Sequence, residues 1–415
     1  MTNNAVNNYR YDNMKNLDAF EDNVCIVGAG VIGLTIGYQL LSKLSETTTN
    51  DKNKKKFKLK QLTIIASNFP KDSPISHHYT SPWAGAHFRP FPHRPETFQQ
   101  DQRESNYTRI TYGFFQELVK NHPESTIEFM KGVDWLENPP LEYSKFGPGY
   151  CNTPTSKLEF KPIPKDQLPR GVTFGAEYLT YCLNAPKYLL FLQNQMESIA
   201  KKLGIKIEWI RPDDPLKSLK ELREKYLLPM SLDTNVIFNA TGQGLQYIND
   251  CNSTIMYDPK SYPIRGQTLL LNVPNPNHIK FAKKTITHQS ADGLWTFVIK
   301  RPSNDPEMEA PQYILGGTKQ PNVNDVDISE GDTKALLERA RVLFPELLFP
   351  NDEFDIVKVN VGLRPAREGG SRIVLETIPT HDGSSNLKIC HAYGLGGMGY
   401  ETSIGVARHA LSLIS

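Results

Sequence analysis

The sequence predicts an α/β protein of two domains: a Rossmann-like nucleotide domain assembled from discontinuous segments, and a β-rich second domain. Three observations carry this. Residues Asn23–Leu34 read N-V-C-I-V-G-A-G-V-I-G-L, a strand followed by G-x-G-x-x-G and a helical pattern. Two later strands, Val236–Asn239 and Leu387–His391, each run into a small-residue turn. Between and around them lie segments richer in strands than in helices.

Within the first motif, Val24–Val27 is a short apolar run of strand type, and Leu34, Tyr38, Leu41 and Leu44 follow at helical spacing. Gly28 allows the tight turn out of the strand, Gly30 lets the backbone approach a pyrophosphate, and Gly33 brings helix and strand together. The free N–H groups and positive dipole end of the helix then face the phosphates. Gly28 to Gly33, with Ala29, Val31 and Ile32 between, is therefore the first candidate cofactor segment.

Thr47–Lys60 carries six lysines between Lys52 and Lys60 and reads as a solvated insertion. Gln61–Ala66 resumes as the second strand. An acidic residue usually follows such a strand to hold ribose hydroxyls; here Ser67 and Asn68 stand instead, uncharged but able to hydrogen-bond, which weakens an NAD-type reading. Ser73–Pro92 breaks every periodicity and reads as loop. It contains S-P-W-A-G-A-H-F-R-P-F, in which Ala84, Gly85 and Ala86 would admit a flat ring or a phosphate to the backbone.

Tyr107–Asn121 and Pro186–Leu203 read as helices with apolar residues three and four apart. Ile205–Ile210 reads as a strand. Val236–Asn239 leads into Ala240-Thr241-Gly242, which makes Gly242 a second point of backbone approach to the nucleotide. Leu294–Ile299 and Gln312–Leu315 read as strands, Gly331–Phe344 as a helix, Ile356–Leu363 as a strand and Ser403–Leu413 as a closing helix. The expected division is an extension without fixed structure at 1–22, a nucleotide domain from 23–92, 236–250 and 387–415, and a substrate domain with connecting helices from 93–235 and 251–386. Such discontinuity suits a flavoprotein better than a two-halved dehydrogenase.

Composition narrows the classes. At 415 residues, 39% hydrophobic and 22% charged with net charge +2, the chain can bury a large core and offers no argument for nucleic acid. Five scattered cysteines (Cys25, Cys151, Cys182, Cys251 and Cys390) lack C-x-x-C and read as buried thiols, with neither a disulfide framework nor a metal site expected. No apolar stretch has the length of a membrane span, and no seam identifies an interface, so monomer and homodimer both stay open.

Two late motifs carry the chemistry. In Val361–Glu376 (V-G-L-R-P-A-R-E-G-G-S-R-I-V-L-E), Arg364 follows a strand and precedes a proline, which holds its backbone extended. A guanidinium fixed in this way binds a carboxylate through two parallel hydrogen bonds; surface ion pairing with Glu368 and Glu376 is the alternative. In Ile389–Ala407, Gly394, Gly396, Gly397 and Gly399 form a glycine loop before the closing helix, whose dipole would stabilise negative charge on a cofactor.

With V-G-A-G-V-I-G-L, S-P-W-A-G-A, P-I-R-G-Q-T (Pro263–Thr268), V-G-L-R-P-A-R and H-A-Y-G-x-G-G-x-G-x5-G-x-A in this order, the chain resembles the D-amino-acid oxidase family, D-amino-acid and D-aspartate oxidases of fungal type. The resemblance implies non-covalent FAD, a substrate domain on a mixed β-sheet, and oxidation of a D-amino acid with O2 as acceptor, giving a 2-oxo acid, ammonia and H2O2. It implies that Arg364 binds the substrate carboxylate and also touches cofactor, and that the Gly397 carbonyl faces the amine. Gly28–Gly33, Ser67, Asn68, Ala84, Gly85 and Gly396, Gly397, Met398, Gly399, Tyr400 and Glu401 are the implied FAD contacts, to which the small-residue turns add Ala86 and Gly242. Peroxisomal residence is a further family expectation, although the chain ends in Ser-Leu-Ile-Ser where many such members carry S-K-L.

One departure stands out. Where the family places a tyrosine over the substrate this chain has Phe297, with Trp295 nearby, which opens the alternative of a non-catalytic or altered-substrate flavoprotein. Tyr262 and Tyr313 are candidates to compensate, and His391 is a candidate base. Arg89, His87, Lys300 and Arg301 are candidate second cations for an acidic substrate.

Overall fold

The computed structural model describes residues 17–50, 57–153, 157–230, 234–248, 254–273, 279–303, 310–379 and 386–415. Most of the expected extension at 1–22, the lysine-rich centre of the insertion and Cys251 lie outside the described residues.

Six strands form the first sheet, in the order Arg372–Pro379, Asn386–Tyr393, Thr234–Asn239, Asp22–Val27, Leu59–Ile65 and Lys206–Ile210. All neighbours are parallel except the edge hairpin of the first two. Parallel strands are covered on both faces, and the alternation along Val24–Val27 shows how. Val24 and Ile26 enter the large core beneath the helices Val31–Asn50, Phe98–Asn121, Ala185–Leu203 and Gly399–Ile414. Cys25 and Val27 enter a smaller core with Leu219, Leu222 and Leu227.

Nine strands form the second sheet, which is mixed: Glu128–Leu136 runs parallel to Lys284–Gln289 and the other pairs are antiparallel. The long strand Asp355–Arg367 pairs with Ser261–Asn272 along almost its whole length. Its last residues, still paired with Ser261–Ile264, also meet the glycine loop that follows Asn386–Tyr393. Ala366 bridges Leu395, and Gly396 N donates to Pro365 O at 2.8 Å.

Several sequence expectations need correction. Lys206–Ile210 and Arg372–Pro379, placed with the second domain, belong to the first sheet. The first is carried beside Leu59–Ile65 by helix Ala185–Leu203, and the second folds back on Asn386–Tyr393. The helix read from Tyr107 starts at Phe98. Its first turns (Gln99, Gln100, Gln102, Arg103) are polar and hide the period, while Asp101 holds the start by accepting from Arg94 N and Thr97 Oγ1. Thr47–Asn50 continues the first helix, and the second strand begins at Leu59. The closing helix begins at Gly399, so the glycine loop runs directly into its first turn. Strands Glu128–Leu136, Phe174–Cys182 and Ser261–Asn272 were not read as strands.

Candidate functional site

The C-terminal ends of three parallel strands converge, as nucleotide sites in such sheets require. Gly28 has φ +103° and donates its N–H to Ile65 O at 2.8 Å; a Cβ there would fall 2.4 Å from Ala240 O. At Gly33 a Cβ would lie 1.9 Å from Gly28 O, so the helix packs on its own entry turn. Val31 N donates to Ser81 Oγ at 3.0 Å, while the next first-turn N–H groups have no acceptor within the helix. Ser67 is exposed and Asn68 half-buried just beyond Ile65. Gly242, at φ +78°, faces Pro365, and its carbonyl accepts from Gly394 N at 3.0 Å. Gly28–Gly33, Ser67, Asn68, Gly242 and the glycine loop thus share one edge of the sheet.

The loop through Ala84–Ala86 crosses from this edge to the second sheet. Thr80 Oγ1 donates to Leu363 O at 2.7 Å, and His77 Nδ1 is 3.1 Å from Val361 O. These contacts tie the loop to the strand that carries Arg364. Opposite Gly85 stand Ile299, whose Cδ1 is 3.0 Å from where a Cβ would be, and Phe297. Ala86 itself adopts φ +48°, and its carbonyl accepts from Leu183 N.

Arg364 lies where these pieces meet. Its Nη1 donates to Thr318 O at 3.2 Å, and its stem passes Gly397, where a Cβ would be 3.6 Å from Arg364 Cδ. No carboxylate pairs with it among the described residues; of the alternative surface pairs, Arg372 meets Glu376 at 3.8 Å, and Glu376 also meets His391 at 2.8 Å. Burial lowers the guanidinium pKa, yet arginine stays charged at any working pH. The result is a positive group without a resident counter-ion, flanked by backbone.

Gly266, within P-I-R-G-Q-T, supplies the floor. A Cβ there would lie 2.2, 2.4 and 2.5 Å from Nη1, Cζ and Nη2 of Arg364. A glycine inside a strand signals such close approach. Gly266→Ala is expected to leave the fold intact, since the mobile end of Arg364 can yield, and to displace the guanidinium. A displacement of about 1 Å costs on the order of 10²-fold in kcat/KM. An unchanged melting temperature together with weakened binding of benzoate, a bare carboxylate, checks this.

Trp295, Phe297, Ile299 and Arg301 alternate onto one face of their strand. Phe297 pairs in register with Gly316 and Thr287, and its ring rests on Gly316, where a Cβ would meet Cζ at 2.1 Å. Trp295 is stacked by the Arg89 guanidinium, 4.9 Å from the ring centroid. Tyr313 is fully buried in the second sheet's core and does not compensate for Phe297. Tyr262 sits in register with Ala366 at the start of its strand.

The candidate cations separate by partner. Arg89 Nε donates to buried Asp134 at 2.9 Å, and Lys300 pairs with Glu128 at 2.7 Å. His87 contacts Thr285 Oγ1 at 3.0 Å, and burial lowers its pKa to about 3, which keeps it neutral. Arg301 has only a 3.3 Å bond to Asn184 Oδ1 and no carboxylate partner among the described residues. His391 is fully buried between Asn239 Nδ2 at 3.0 Å and Glu376 Oε2 at 2.8 Å. Both of its ring nitrogens are engaged within the first sheet, a structural role.

Comparison with known proteins places this geometry. A family model described as FAD dependent oxidoreductase matches residues 188–413. A D-aspartate oxidase of Talaromyces thermophilus is 31% identical over 94% of each chain. A D-amino-acid oxidase of Schizosaccharomyces pombe is 30% identical over 94% of this chain and 95% of its own. Among solved structures, glycine oxidase from Bacillus cereus superposes with a TM-score of 0.58 at 14% identity, covering 95% of this chain and 97% of that one, a likeness of fold. An L-α-glycerophosphate oxidase from Mycoplasma pneumoniae with FAD bound gives a TM-score of 0.54 at 13% identity, covering 95% of this chain and 94% of that one.

Proposed function

The chain belongs to the D-amino-acid oxidase family of FAD-dependent oxidoreductases, and on that footing we propose that it deaminates D-amino acids oxidatively. Bound FAD would supply the hydride acceptor for the substrate Cα–H and the route of the electrons to O2, so that the products would be a 2-oxo acid, ammonia and H2O2. The residues present fit that cofactor. Gly28 packs tightly on the Ala240 backbone and Gly242 on Pro365, which brings turn backbone together at the strand ends as a cradle for its phosphates, and the first-turn N–H groups of two helices open at that edge.

The observation that carries the reading is Arg364: a charged guanidinium lying on Gly266, beside Gly397, with no carboxylate partner among the described residues. It donates two parallel hydrogen bonds to the substrate carboxylate and so fixes the direction of the Cα–H bond. The Gly397 carbonyl accepts from the amine. A substrate amine that arrives deprotonated needs no protein base, and the engagement of both His391 nitrogens supports this. Trp295 encloses the side-chain end and the Phe297 ring lies toward the carboxylate.

Oxygen consumption tests the proposal, measured with D-alanine, D-methionine and D-aspartate and with their L-isomers, and with ammonia assayed alongside. Uptake with at least one D-isomer and stoichiometric ammonia is expected; uptake with L-isomers alone would overturn it. If D-aspartate leads the panel, Arg301 is the cation whose replacement by Met should lower the D-aspartate to D-alanine ratio. We further propose that the peroxide formed is confined to peroxisomes, which fractionation of the native host would check.

Phe297 reads as a tuned position within an active site. A tyrosine there adds one hydroxyl within reach of the carboxylate. Phe297→Tyr is expected to lower KM by the worth of one hydrogen bond, about 0.5–1.5 kcal/mol or roughly 2- to 12-fold. Steady-state kinetics of the two proteins decide it, and an unchanged KM would show that this ring does not face the carboxylate.

A further inference from the structure

Glu401 is a buried carboxylate with no ion-pair partner among the described residues. It is the third residue of the closing helix Gly399–Ile414, directly after the glycine loop, and is 9% exposed. Oε2 accepts from Arg89 N at 3.1 Å. The other oxygen, Oε1, has no donor among the described residues. Arg89 follows Ala86 by three residues, so Glu401 bridges the two segments that flank the expected flavin ring, the Ala84–Ala86 loop and the glycine loop.

The charged groups around it do not pair with it. From the loop, Arg89 is committed to Asp134. From helix Phe98–Asn121, Arg109 gives Nη2 to the carbonyls of Pro148, Gly149 and Cys151, and Glu104 accepts from Ser371. From strand Phe174–Cys182, Tyr181 is fully buried and its burial keeps the phenol protonated. Burial, with a smaller push from Glu104, outweighs the Arg89 N–H bond and the charges of Arg89 and Arg109, and the Glu401 pKa is raised to about 7. Both protonation states are therefore populated near neutrality.

We propose that Glu401 is the proton acceptor linked to FAD reduction in this chain. Hydride transfer brings two electrons and one proton to N5 and leaves the ring with one added negative charge. A buried carboxylate beside that ring is repelled by the new charge, whereas a carboxylic acid can donate a hydrogen bond to it. Glu401 consequently takes one proton from solvent as the substrate is oxidised, and releases it when O2 removes the electrons. The inference rests on FAD as cofactor and goes beyond the assignment of Glu401 as a contact.

The test is the flavin midpoint potential of the holoprotein measured between pH 7 and 9, in wild type and in Glu401→Gln. Each proton taken up with two electrons shifts the potential by about 30 mV per tenfold change in proton concentration. Wild type, with two protons, is expected to fall by about 60 mV per pH unit, and Glu401→Gln, with one, by about 30 mV. Glu401→Ser removes the same titration and replaces the amide variant should that variant not load flavin. Equal slopes in wild type and variant overturn the proposal. So does a wild-type slope of about 30 mV across the range, and that result leaves the FAD-dependent oxidase reading standing. Protein that carries no flavin sinks both together.

Discussion

Arg364→Leu is expected to fold, bind FAD and lose nearly all turnover with D-amino acids. Leucine keeps apolar volume over Gly266 and Gly397 but leaves the substrate carboxylate without its cation in a half-buried site. Removing one partner of a buried, hydrogen-bonded charge pair costs about 2–5 kcal/mol, roughly 30- to 4,000-fold in kcat/KM. The loss should fall on KM as well as kcat, because the same bond binds and orients. Arg364→Lys restores the charge as a single point without the planar fork and should recover only part. Kinetics of the three proteins, alongside benzoate affinity, separate lost binding from misfolding. A Leu variant within tenfold of wild type would move the carboxylate anchor elsewhere.

Gly28→Ala is the second large effect. The added methyl meets Ala240 O at 2.4 Å and Ala240 C at 2.9 Å, both backbone atoms directly after the neighbouring central strand Thr234–Asn239, and φ is +103°. Neither can yield without disturbing the sheet. Strain of this kind costs about 1–3 kcal/mol, and overpacking adds a similar amount. The purified variant is therefore expected to be colourless and less stable, with a flavin-to-protein ratio near zero. Gly30→Ala is milder, since its methyl would meet only Ser81 Oγ, at 3.1 Å. Flavin content after gel filtration distinguishes the two; full loading of Gly28→Ala would contradict the cradle described above.

Local chemistry explains what the sequence made legible. The first strand, glycine turn and helix were readable because apolar periodicity and glycine spacing coincide within Asn23–Leu44. The closing glycine loop was readable for the same reason, with three glycines between a strand and a helix and a fourth opening the helix. Arg364 could be singled out because a proline fixes its backbone, but its surroundings could not. Gly266 lies about a hundred residues away on a partner strand, and only the register of Asp355–Arg367 against Ser261–Asn272 brings the two together.

Non-local pairing also hid the sheet membership of Lys206–Ile210 and Arg372–Pro379. A five-residue strand of intermediate burial beginning Lys-Ile-Glu carries little pattern of its own; its place beside Leu59–Ile65 is set by the helix that delivers it. His391 shows the converse. A histidine at a strand end next to a glycine loop invites a catalytic role, and only its two partners, Asn239 and Glu376, reveal a structural one. Among the candidate cations, Asp134 and Glu128 decide what loop position could not, by neutralising Arg89 and Lys300.

The central claim is that bound FAD is reduced by a D-amino acid anchored on Arg364. Its most direct test is the anaerobic visible spectrum of purified protein before and after D-alanine, D-methionine or D-aspartate, each set against its L-isomer. Bands of oxidised flavin that bleach with a D-isomer and persist with the L-isomer are the predicted result, with bleaching lost in Arg364→Leu. A flavin that no D-isomer bleaches, or one bleached equally by both isomers, would contradict it.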